Sequence, residues 1–310
     1  MRNTSTFTLF FFFTALLGTG VASGDTFELL RHYKETLAFK TGKVNVAGQI
    51  RYRIQTEHYD ITAYKLEDGN LVGERLEHLY ATWELLAAEF LKQAVKEPAQ
   101  FRHKVVLFRN KAEYVDSLRR IDPFIDRSNG FYYAPRNTAY FFSPETRVLF
   151  HEGTHQILAE HLFSENTPAF SNNFWITEGI ALFMQTLEVE EQCYTIGNIL
   201  DDRLFSAKVR QFEQNYKLPM KKLTEMSAEE IQTSADIDKI YSQSATLVHW
   251  LMFADQGRYR GTLFELLRQT YHGLAKPETL SRLTGLSYDE LDVKYVEFLK
   301  TIPDEIEQKN

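Results

Sequence analysis

The chain has 310 residues, 44% hydrophobic and 25% charged, the composition of a globular protein with enough apolar material for a large core. Its formal net charge is −7 and it shows no basic stripe, which excludes the electrostatic footprint of a nucleic-acid binder. The single cysteine, Cys193, excludes an internal disulfide and a thiolate metal cage, and is expected to be a small buried apolar residue.

The N-terminus reads as a secretory signal. Arg2 supplies a positive start, residues 9–17 are apolar with four consecutive phenylalanines, and small residues follow between Gly18 and Gly24. The apolar run is shorter than the roughly 20 residues of a membrane-spanning helix. Residues 1–24 are therefore expected to be removed on export to the periplasm or the exterior, leaving no stable membrane insertion.

Residues 26–39 are expected to be helical. Alternation through residues 48–66 predicts one or two strands, and "EDGN" at 67–70 predicts a turn. Leu76, Leu79, Tyr80, Trp83, Leu86, Ala87, Phe90 and Leu91 recur at helical spacing, which predicts a helix over 76–95 closed by Pro98. "KVVLF" (104–108) is a short buried strand, "KAEYVDSLRRI" (111–121) a helix, and "GFYYAPRNTAYFF" (130–142) a hairpin turning at Pro135, Arg136 and Asn137. After residue 143 the pattern is helical, with no strong strand signal. "LSYDELDVKYVEFLKTI" (286–302) closes the chain as an amphipathic helix packed on the rest. The expected fold is α+β: a mixed α/β lobe over 25–143 and a helical lobe over 144–310, with a site in the cleft between them.

"VLFHEGTHQIL" (148–158) lies at that junction. Ser143-Pro144-Glu145 opens its helix well, with a capping hydroxyl, a proline suited to the first turn and an acid suited to the dipole. His151 and His155, four apart, share one helical face a turn from each other, so both imidazoles can reach one tetrahedral ion at about 2.0–2.1 Å. Glu152 points off the ligand line, placed to take a proton from a metal-activated water. "NNFWITEGIALFMQ" (172–185) supplies a third ligand, Glu178, near the start of a second apolar helix. Two histidines and a carboxylate with an open fourth position form the ligand set of a catalytic zinc, although nitrogen and oxygen donors without thiolate also fit other divalent metals. The alternative is a core helix whose histidines are satisfied by hydrogen bonds, but three unpaired ionisable groups in an apolar helix are costly to bury.

"HEGTH" followed by "WITEG" resembles the gluzincin metallopeptidases. "VVLFRNKAEYV", "GFYY", "LFHEGTHQIL", "FWITEGIALFMQ" and "YSQSATLVHWL" are similar to the peptidase MA-like proteins over roughly residues 50–300, most closely to an exported bacterial family of undefined function. The resemblance implies an oxyanion role for Tyr241, which matches a tyrosine that opens a helix and points at the metal. It implies that residues 137–142 form an edge strand pairing with an extended substrate. His249, two turns beyond Tyr241, reads as an interior histidine. One position departs: related families often carry an acid four residues after the ligand glutamate to orient a ligand histidine, and here it is Leu182. Glu188, Glu190 and Glu191 are expected to be a solvated helix end. No glycine-rich, acid-bearing exopeptidase motif precedes His151, which weighs against an aminopeptidase.

The expected function is zinc-dependent hydrolysis of peptide or protein substrates with Glu152 as general base and Tyr241 assisting. The alternatives are a non-catalytic zinc-containing binding domain and a metal-dependent hydrolase of small non-peptide substrates.

Overall fold

The protein is described by a computed structural model over residues 27–30, 39–91, 101–162, 170–190 and 193–304. The signal segment, the helix end at Pro98, Glu191 and the side chain of Cys193 lie outside the described residues. Among the described residues no helix is long and apolar enough to cross a membrane.

The fold is mixed α/β. After β1 (Phe27–Leu30) the chain forms β2 (Lys40–Val46), β3 (Gln49–Gln55), β4 (Tyr59–Ala63), the long helix α1 (Leu66–Phe90), β5 (His103–Leu107), α2 (Lys111–Leu118), β6 (Gly130–Tyr133) and β7 (Thr138–Phe141). Strands β2 to β7 make a six-stranded sheet in the order β2-β3-β4-β5-β7-β6. The pairs β4–β5 and β5–β7 are parallel, and the others are antiparallel. Alternation works as the sequence implies: Tyr59, Ile61 and Ala63 of β4, and His103, Val105 and Leu107 of β5, point to one buried face. Leu76, Leu79 and Tyr80 of α1 share that core with Leu149, Phe150 and Ile157 of the next helix, α3 (Thr146–Leu162). On the opposite face, α2 covers a smaller core of Phe108, Tyr114, Val115, Leu118, Ile125 and Tyr140.

Beyond α3 come α4 (Trp175–Met184), β8 (Glu188–Glu190), β9 (Cys193–Ile196), α5 (Asp202–Phe212), α6 (Met220–Glu225), α7 (Ala228–Gln232), α8 (Ile237–Gly257), α9 (Arg260–Tyr271), α10 (Thr279–Thr284) and α11 (Tyr288–Leu299). Every residue of α4 is buried, as befits a helix apolar on all sides. It packs between α3 and α8. The C-terminal amphipathic helix is α11; Ser287 and Glu290 cap it reciprocally, and Leu291, Tyr295 and Leu299 face inward.

Several expectations fail for identifiable reasons. Residues 67–70 are not a turn but the first turns of α1, where Glu67 and Asp68 suit the helix dipole. Gly69 there permits close packing: a Cβ would lie 2.5 Å from Ile54 Cδ1. Residues 27–30, expected helical, form β1 because they pair with β9, a tertiary contact that overrides local preference. With β8 these make a three-stranded sheet, so the second half of the chain does contain strands, each too short to register as a period. Glu188 and Glu190 sit exposed on β8 rather than at a helix end. Helix α3 starts at Thr146, two residues later than the serine-proline pair suggests.

Gly179 of α4 touches the backbone of α8: a Cβ there would lie 2.7 Å from the Ser244 carbonyl oxygen. Gly261 of α9 has nothing within 4 Å of the same position. Alanine gains up to about 1 kcal/mol of helix propensity at either site, but overpacking against a fixed carbonyl costs about 1–3 kcal/mol. Gly261→Ala should therefore raise the urea midpoint and Gly179→Ala lower it. The same sign of change in both would contradict the close α4–α8 approach.

Candidate metal centre

Helix α3 carries His151 and His155 on one face. Their Nε2 atoms are 3.3 Å apart, with the rings crossing at 82°. Glu178 occupies the first turn of α4. Its Oε2 lies 3.5 Å from His151 Nε2 and 3.7 Å from His155 Nε2. Among the described residues these three form the group whose donor atoms converge as metal ligands would. Three donors at about 2.0–2.1 Å from a tetrahedral ion stand roughly 3.3–3.5 Å from one another, and the observed separations nearly coincide with that. Hydrogen bonding accounts for them less well, because the imidazole–carboxylate distances exceed the usual N–H···O range of about 2.7–3.2 Å.

The electrostatics agree with this geometry. Burial pushes the Glu178 carboxyl upward, but the two imidazoles outweigh it and hold the group well below the usual carboxylate range. Burial likewise lowers His155, and Glu178 and Glu152 more than offset it, so the imidazole lies above its ordinary value. The site is a buried carboxylate facing two half-buried imidazoles, anionic where a cation would sit.

Glu152 points away from this trio toward the sheet. Its Oε2 accepts a hydrogen bond from the main-chain N–H of Tyr132 on β6 at 3.1 Å. Gly130 allows that approach, since a Cβ there would lie 2.8 Å from Glu152 Cγ and from Val148 Cγ1. Tyr241, on the first turns of α8, lies close enough to Glu178 for the carboxylate charge to act on its phenol. Burial, then the charges of Glu178 and Glu152, push its phenol far above the ordinary value, so it stays a protonated donor. The structure thus gathers His151, Glu152, His155, Glu178 and Tyr241, which come from three helices, at one place.

The edge strand differs from expectation. β7 lies inside the sheet between β5 and β6, because it continues the parallel pairing from β5; the edge is β6. The N–H of Tyr132 turns outward to Glu152, and that of Gly130 to the Ser128 hydroxyl at 3.2 Å. Leu182 is buried in the core and offers a histidine no acceptor. Sequence reasoning missed Gly130 and Tyr132, and it passed over the glycine inside HEGTH. A Cβ on Gly153 would lie 2.7 Å from Leu79 Cδ2, so this glycine lets α3 settle on α1. The glycines inside and beside each motif were the available signal.

No protein-family model matches the chain, and no curated protein matches it.

His249 is interior, as expected. Its Nδ1 lies 3.0 Å from the Ala245 carbonyl oxygen, its ring stands 5.0 Å from that of Phe183, and Nε2 is buried without a hydrogen-bond partner. Burial brings its pKa down to about 4. An unfolded imidazole titrates near 6.5. Between those values the unfolded chain binds more protons, so stability falls as pH drops from about 6.5 to about 4. The wild type should lose on the order of 2 kcal/mol of unfolding free energy between pH 7 and pH 5 from this group. His249→Leu should lack that component in urea titrations at the two pH values; an unchanged pH slope would contradict it.

Proposed function

We propose that the protein is an exported zinc metallopeptidase of the gluzincin type. One observation carries the reading: two imidazoles and a carboxylate from neighbouring helices converge at the donor spacing of a tetrahedral ion, with Glu152 and Tyr241 beside them. The chain order supports it too, with HEGTH, a glutamate opening the next helix, and a tyrosine at the start of a later one. In this reading the substrate enters between the sheet-bearing half and the helical half.

Zinc held by His151, His155 and Glu178 supplies a Lewis acid for the scissile carbonyl and lowers the pKa of water. Glu152 takes a proton from the attacking water and returns it to the leaving amine nitrogen. The Tyr132 amide keeps Glu152 turned off the ligand set, free for this task. Tyr241, protonated across the working pH range, is placed to donate to the developing oxyanion.

A second reading, hydrolysis of small non-peptide substrates by the same residues, draws on one observation. The outward amides of β6 are already engaged, so a peptide backbone finds little of that edge to pair with.

Elemental analysis should find one zinc per wild-type chain and none in Glu178→Ala. Glu152→Gln should keep zinc while hydrolysis of a mixed peptide library falls by about 10²–10⁴. Equal turnover by that variant would remove Glu152 from the chemistry. Tyr241→Phe should keep zinc and lose about 10²–10³ in kcat if its hydroxyl serves the oxyanion. Zinc with turnover of small esters but not peptides would select the second reading, and zinc with no turnover of either would leave a binding domain.

A further inference from the structure

Strands β2 and β3 pair along their whole length, from Lys40 opposite Gln55 to Val46 opposite Gln49. β4 pairs with β3 only from Tyr52 to Gln55. The distal part of the hairpin, Val44 to Arg51, therefore runs past β4 as a two-stranded ribbon.

Its tip is apolar. Val46 is 42% and Ile50 59% exposed. Val46 stands opposite Gln49 and Ile50 opposite Asn45, so the two apolar side chains lie on opposite faces of the ribbon. Ala47 and Gly48 make the turn, with φ of 50° and 82°. A two-residue turn with both φ positive favours Asn, Asp or Gly at each position. An exposed alanine occupies the first of them here, so the apex is apolar where the backbone prefers a polar residue or glycine.

Behind the tip stands a cation on each face. Lys43 shares the face of Ile50, with its Nζ 5.8 Å from the Tyr52 ring centre. On the face of Val46, Arg51 and Arg109 both lie over the ring of Tyr64, at 3.9 and 3.8 Å. Arg51 is spent on Glu113 at 2.6 Å. Lys43 and Arg109 make no ion pair among the described residues. No acid occurs between residues 40 and 56, in a chain whose net charge is −7.

A protein partner meets one face of such a ribbon. A lipid surface entered end-on covers both faces and sets apolar residues below the headgroups with cations at their level. A second copy of this chain is disfavoured along the open edge of β2, where Lys40 and Lys43 oppose the addition of another strand.

We propose that the β2–β3 tip is a peripheral docking site for an anionic lipid surface. Val46, Ala47 and Ile50 enter the boundary between headgroups and acyl chains, and Lys43 and Arg109 face the lipid phosphates. The site is independent of the hydrolytic reading.

The test uses the full chain carrying Ile50→Trp, with Val293→Trp, equally exposed on α11, as the control position. On vesicles of phosphatidylglycerol and phosphatidylcholine in equal parts, the emission of Ile50→Trp should shift to shorter wavelength. That of Val293→Trp should not. Adding Lys43→Gln to Ile50→Trp should raise the lipid concentration for half the shift about fivefold. Vesicles of phosphatidylcholine alone should give a smaller shift at the same lipid concentration. No shift at position 50 would overturn the proposal. So would equal shifts at 50 and 293, or an equal response to both vesicle types with no effect of Lys43→Gln.

Discussion

The structure turns on three polar atoms held closer than they would choose. Two imidazole nitrogens face each other at 3.3 Å, and a buried carboxylate oxygen stands 3.5 and 3.7 Å from them. Left to itself, such a group would spread to find water or shorter hydrogen bonds. It cannot, because the backbones that carry it are fixed. Gly153 brings α3 onto Leu76 and Leu79 of α1, and Gly179 brings α4 onto the Ser244 carbonyl of α8. Helix α4, buried along its whole length, has nowhere to shift.

Around this trio the acids are kept distinct by the company each is given. Glu178 meets imidazoles, Glu152 meets a main-chain amide, and Glu160 meets an imidazole and a carboxamide. Three carboxylates on two adjacent helices could have competed for one role. Their surroundings separate them instead, in the manner by which proteins assign different tasks to like side chains.

Much of this was readable in the sequence, and the failures follow a pattern. Alternation exposed β3 and β4, a short apolar run β5 and a proline-centred hairpin β6 and β7, and the four-residue spacing of His151 and His155 sets a shared helical face. Glu178 followed from the need for a third donor on another apolar helix. Where the reading failed, the deciding contact was distant in the chain. "EDGN" looks like a turn until Gly69 is seen against Ile54. Residues 27–30 look helical until β9 arrives to pair with them. The edge of the sheet was misplaced because local pattern shows a hairpin but not which arm continues the parallel ladder. The amide that holds Glu152 left no mark at all, since every residue but proline has one.

The contact of Gly179 with Ser244 couples two helices that contribute to the site from opposite directions. Main chain meets main chain at Ser244, beside the Val248 side chain, so a turn of α4 and a turn of α8 are held at fixed separation near the carboxylate of one and the phenol of the other. The spacing of Glu178 from Tyr241 is thus set across a main-chain contact, and its spacing from the two imidazoles by how Gly153 seats α3 on α1.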